Sequence, residues 1–106
     1  MDKKKSLIKN LKKFKEKISK KYNPEKIIFF GSRAYGKPHK DSDIDLIIVS
    51  KKFNGVSILK RSPELYLEWQ LDFPVDFLCY TPKEFNKLKK RITIVKEAVE
   101  NGIEIK

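Results

Sequence analysis

The sequence is poor in the residues that most often carry chemistry: one cysteine, one histidine, one tryptophan and one methionine among 106 residues. A single cysteine excludes an internal disulfide and suits a reducing compartment. Its place in the apolar run FLCY makes Cys79 a core thiol rather than a nucleophile. His39 lies in the polar stretch GKPHKDS without a visible partner and reads as solvent exposed. No apolar run approaches the roughly 18 residues of a membrane span, and the basic start is not followed by the unbroken apolar segment of a signal peptide. The expectation is a cytoplasmic protein with no membrane association. Arginine is scarce as well, at three of 25 basic residues, which weakens any case for bidentate recognition of phosphates or bases.

What is present is charge. The composition is 40% hydrophobic and 37% charged, a folded chain with an ionic surface rather than a disordered one. Its length fits one domain, expected to span residues 1–106. The net charge is +11, and residues 1–22 hold ten lysines against Asp2 and Glu16, a local balance of +8. Two readings are open: an electrostatic footprint for nucleic acid or another polyanion, and a solvated lysine-rich helix face, the commoner meaning of such a run.

Along the chain, Leu7, Leu11, Phe14, Ile18 and Tyr22 recur at helical spacing and predict a helix over 6–22 that ends at Asn23-Pro24. KIIFF, residues 26–30, predicts a strand buried on both faces and closed by Gly31. Residues 32–35 can open a short helix; Gly36 and Pro38 then break the chain before DIDLIIVS, a second strand. Residues 54–70 predict one broken helix or two short ones, and Leu65, Leu67 and Trp69 do not settle which face is inside. VDFLCY, residues 75–80, is a third strand. Thr81 then caps a helix with Pro82 at its first position, and helical periodicity runs on through Phe85, Leu88, Ile92, Val95 and Val99 to Asn101-Gly102. GIEIK closes as a small edge strand. The fold class is α/β (α+β), one small mixed sheet flanked by helices in the order αβαβαβα.

The chemistry concentrates in FFGSRAYGKPHKDSDIDLIIV, residues 29–49. A strand ending in Gly31-Ser32 and feeding a helix offers backbone N–H groups and a hydroxyl to phosphate oxygens, and glycine lets the ligand approach. Alone this is also a common turn. Residues two apart on a strand share a face, so Asp43 and Asp45 point one way while Ile44 points into the core. Asp76 interrupts the third strand in the same manner. Like charges about 4 Å apart repel by roughly 4 kcal/mol at an effective dielectric of 20, so three converging carboxylates need a proton or a cation. Two carboxylates plus substrate phosphates suit Mg²⁺, and a third carboxylate permits a two-metal site. Singly, each aspartate could be tied to backbone amides or to a lysine. Asp41 and Asp72 lie in polar or turn contexts and read as turn or cap residues.

GSRAYG, then DSDIDL, then VDF about thirty residues later resembles the minimal nucleotidyltransferase domain of the DNA polymerase β superfamily: GS, a spacer, D-x-D and a distant third Asp. The resemblance covers most of the chain, and all three aspartates are present. It implies the nucleotidyltransferase fold, with Gly31 and Ser32 holding the triphosphate, Asp43 and Asp45 binding two Mg²⁺ ions, and Asp76 completing the catalytic metal site. It further implies in-line attack of an acceptor hydroxyl on the α-phosphorus of ATP or another NTP, with release of pyrophosphate. Arg33 could reach a phosphate oxygen, and a surface role fits it equally. Tyr35 stands where many relatives carry a second arginine. Proteins similar to this chain are commonly antitoxins that add AMP to a tyrosine of a small helical HEPN toxin, which makes a protein adenylyltransferase the expected function. A non-catalytic binding antitoxin and nucleotidyl transfer to, or binding of, RNA are the alternatives.

Overall fold

In a computed structural model that describes residues 3–35, 43–91 and 93–106, and among these not the side chains of Lys3, Ser32 and Tyr35, the first element is helix α1, Lys3–Tyr22. It begins three residues before the predicted start, since lysine propagates a helix as readily as most residues. Leu7, Leu11, Phe14, Ile18 and Tyr22 form its buried stripe. The helix stops at Asn23, whose φ of 41° is the left-handed conformation that asparagine tolerates, and whose N–H bonds Ser19 O at 2.9 Å.

The strands are β1, Lys26–Phe30; β2, Ile44–Val49; β3, Val75–Tyr80; and β4, Ile103–Glu104. Among the described residues they form a four-stranded sheet in the order β3-β2-β1-β4. It is mixed: β1 runs antiparallel to both β2 and β4, and β2 parallel to β3. Alternation along the strands supplies two cores. Ile27, Phe29, Ile44, Leu46, Ile48, Phe77 and Cys79 face α1, while Ile28, Phe30, Ile47 and Val49 face Phe85, Val95 and Ala98 of the C-terminal helices. Each fully buried isoleucine or leucine here is worth about 1.5–3 kcal/mol of transfer free energy. Where α1, β2 and β3 end together, the Ser50 hydroxyl donates to Tyr22 O and accepts from Lys52 N, while Ser50 N bonds Tyr80 O at 3.0 Å. A fully buried hydroxyl is thereby satisfied, and the three elements are tied at one end.

Helix α2, Ser32–Tyr35, follows β1 directly. Between β2 and β3 lie a 3-10 turn at Lys51–Phe53 and two short helices, α3, Ile58–Arg61, and α4, Pro63–Glu68. The side that periodicity left open is now assigned. Leu65 is wholly buried and Leu67 is exposed, while the Trp69 indole packs edge-on against Phe14 and Phe77.

The C-terminal helix corrects the sequence reading. Periodicity predicts one helix from Pro82 to Asn101, whereas the chain forms α5, Pro82–Leu88, and α6, Ile94–Asn101. The break is set by Thr93, which caps α6 through Lys96 N and donates its hydroxyl to Leu88 O at 3.0 Å. Gly102 does end α6, with an extended rather than left-handed backbone. A Cβ there would strike Phe29 O and the Ile28 side chain, so glycine lets the tail close onto β1.

Candidate functional site

The site grows from the way two strands begin. Ile44 N bonds Pro74 O at 2.8 Å, starting β2 and β3 side by side, and parallel register then sets Asp45 opposite Asp76. On the other flank, antiparallel register sets Phe30, the last residue of β1, opposite Asp45. Alternation puts Asp45 and Asp76 on one face: Asp45 precedes Ile47 and Val49 on the face toward α5 and α6, and Asp76 precedes Leu78 and Tyr80 on that same face, while Asp43 lies just before β2.

The three carboxylates differ in surroundings. Asp43 and Asp76 are exposed, whereas Asp45 is half-buried between its two flanking strands. Burial, and then the negative charges of Asp76 and Asp43, raise the Asp45 carboxyl above the usual aspartate range. Among the described residues no three His, Cys, Asp or Glu side chains form a metal-holding group by themselves. The metal site expected of Asp43, Asp45 and Asp76 together is therefore not displayed as a three-carboxylate group.

Gly31 belongs to this site for a reason that the sequence did not disclose. Its φ is +87°, and a Cβ built on it would overlap the Asp45 carboxylate, with Asp45 Cγ at 3.2 Å. Glycine here permits both the left-handed turn out of β1 and the close passage of the carboxylate. Ala34 N bonds Gly31 O at 3.0 Å, so α2 turns back at once, and Ala34 is buried beneath it. Arg33 lies with its guanidinium 4.6 Å from the centre of the Phe73 ring, three residues before Asp76. Nothing in the local sequence marks this pairing, because it joins segments distant in the chain. The Phe73 shelf is itself fixed by its carbonyl, which accepts the Trp69 indole N–H at 2.8 Å.

Asp45 and Asp76 therefore stand side by side with Gly31 against Asp45, Asp43 adds its charge to the field at Asp45, and Arg33 stands over Phe73. The Ser32 and Tyr35 side chains, and Gly36, Pro38, His39, Asp41 and Ile92, lie outside the described residues. Cys79 is in the core as expected, and burial pushes its thiol up to about 12.

The chain is 32% identical over 77 residues to the probable protein adenylyltransferase MntA of Haemophilus influenzae, covering 71% of this chain and 68% of that protein. A candidate nucleotidyltransferase from Sulfolobus solfataricus superposes with a TM-score of 0.66 at 22% identity, over 95% of this chain and 80% of the other. BolA1 from Arabidopsis thaliana reaches a TM-score of 0.50 at 23% identity, over 79% of this chain and 98% of its own, a likeness of fold alone. The family model of the nucleotidyltransferase domain matches residues 11–101. With its sheet, its glycine turn and its paired strand aspartates inside that match, the chain belongs to the nucleotidyltransferase domain family, as a minimal nucleotidyltransferase.

Proposed function

We propose that this nucleotidyltransferase transfers AMP from ATP to a hydroxyl of a partner protein, with Mg²⁺, as the antitoxin of a HEPN toxin pair. The observation that carries the reading is the setting of Asp45 beside Asp76 on adjacent parallel strands, pressed against Gly31 and coupled to Asp43. Support for a protein acceptor comes from the likeness to MntA. Asp43, Asp45 and Asp76 would hold the ions, for their oxygen donors and mutual repulsion suit a hard divalent cation. Such an ion supplies Lewis acidity at phosphoryl oxygens.

The chain's own groups have separate tasks in this reading. The backbone of the turn at Gly31-Ser32 meets the triphosphate, and glycine there keeps the approach open. Asp76, exposed at the edge strand, faces the incoming acceptor and takes part in accepting its proton. Attack forms a bond from the acceptor oxygen to the α-phosphorus as the bond to the pyrophosphate oxygen breaks. Arg33, resting on Phe73, holds a cation at the rim of the site.

Incubation with α-labelled ATP, Mg²⁺ and a small helical partner carrying an acceptor tyrosine should label the partner. Asp43→Ala and Asp45→Ala should each abolish the label; transfer surviving both substitutions sinks the mechanism. If Asp43→Ala still protects cells against the toxin, neutralisation is by binding alone. A second reading, RNA binding, rests on α1, where Lys5, Lys9, Lys12, Lys13 and Lys20 are all exposed. RNA retention that falls steeply with salt would support it, and no retention at low salt removes it.

A further inference from the structure

The C-terminal end of β3 opens onto a groove that nucleotidyl transfer does not use. Ile58 of α3, Tyr80 of β3 and Leu88 of α5 line it together with Glu84, Lys87 and Arg91, around a volume of about 250 Å³. Small-molecule sites run to roughly 300–1,000 Å³, so the groove holds an anchoring side chain more readily than a nucleotide. Its apolar wall is left uncovered at Ile58, which is 62% exposed; Leu59, the next residue in the chain and outside the groove's lining, is 88% exposed. Packing does not require them outside, because α3 is held through Arg61, whose guanidinium bonds Val56 O at 2.8 Å and Cys79 O at 3.1 Å. Exposed apolar side chains with a charged rim are the mark of an interaction surface.

The rim selects the occupant. Glu84 is already engaged, accepting from Arg61 at 2.6 and 3.2 Å and from Thr81 N at 2.9 Å. Lys87 and Arg91 make no ion pair among the described residues, which leaves the groove's free charge positive. A second copy of this chain is a poor occupant, since two molecules of net charge +11 repel.

We propose that the groove docks an acidic amphipathic helix of a protein partner. An apolar side chain of that helix seats between Ile58, Tyr80 and Leu88, and its carboxylates face Lys87 and Arg91. Tyr80 and Asp76 share one face of β3 four residues apart, or about 13 Å, so a helix seated here holds its owner beside the carboxylate end of the same strand. The docking rests on the groove and its rim, and stands whether or not those carboxylates transfer nucleotide.

The test titrates two synthetic helical peptides into the full 106-residue chain and follows backbone amide shifts by NMR. The peptides share one stripe of leucine and phenylalanine, with glutamates flanking it in one and lysines in the other. The glutamate peptide should shift amides of residues 58–61, 80 and 84–91 and weaken as salt is raised. Ile58→Asp and the pair Lys87→Glu with Arg91→Glu should each weaken it by about tenfold or more. All three positions are surface ones, and a thermal melt of each variant confirms its fold. Equal binding of the two peptides, binding of neither, or shifts confined elsewhere overturns the proposal. So does concentration-dependent self-association that Ile58→Asp abolishes, which would make the occupant a second copy. Transfer assays are read separately, so binding without labelling defeats only the catalytic reading.

Discussion

Gly31 and Asp45 constrain each other at the scale of single residues. An alanine at position 31 meets the Asp45 carboxylate and must hold a φ of +87°. The left-handed conformation costs about 1–2 kcal/mol and the overlap a similar amount, so Gly31→Ala should lose about 2–4 kcal/mol of stability in urea denaturation. Nucleotide transfer should fall with it. Asp45→Asn is expected to separate the two properties. It removes a half-buried charge that two neighbouring carboxylates oppose, so the melting temperature in chelator should rise while transfer drops by on the order of 10²–10³. A fall in melting temperature would mean that the carboxylate makes a stabilising contact instead. This is the trade between stability and function found where like charges are gathered for chemistry.

Among the elements, α5 shows how one carboxylate can serve two structures. Glu84 closes a capping box with Thr81 and also forms the bidentate partner of Arg61, which is 6% exposed. Glu84→Gln leaves that guanidinium poorly compensated and should cost about 2 kcal/mol, less than a fully buried pair because Glu84 itself meets solvent. Its pH dependence follows in sign. The Arg61 hydrogen bonds hold the Glu84 carboxyl below its usual range, against the opposing effect of burial. A depressed folded pKa gives stability that is present above the unfolded pKa and lost as pH falls through the folded one. Unfolding free energies of the parent and of Glu84→Gln should therefore differ most at neutral pH and converge below the ordinary glutamate range. Half of this was legible beforehand: Thr81-Pro82-Lys83-Glu84 announces the cap by local chemistry. The Arg61 partner was not, since it arrives from α3 through tertiary packing. The split of α5 from α6 was missed for a related reason. Apolar residues at helical spacing on both sides of Thr93 continue the period across a break that only capping geometry reveals.

For the whole molecule, the net charge of +11 is balanced by few ion pairs among the described residues, and most of these are exposed. Self-repulsion should outweigh pairing, so raising NaCl from about 0.05 to 0.5 M should raise the melting temperature by screening it. A fall would show that pairs such as Lys21 with Glu64 contribute more than the net charge costs. What the amino-acid order determined alone is whatever depends on neighbours along the chain: the amphipathic stripe of α1, the two-faced burial of β1, the Thr81 cap, and the alternation of Asp45 with its apolar neighbours in β2. Each follows from backbone periodicity or from a side chain bonding its own turn. Tertiary structure decided what depends on register between strands: that β3 lies parallel to β2, that Asp76 stands opposite Asp45, and that the Gly31 turn closes on that carboxylate. Register is set by the hydrogen-bond ladder and by the packing of both sheet faces, and these join residues remote in sequence.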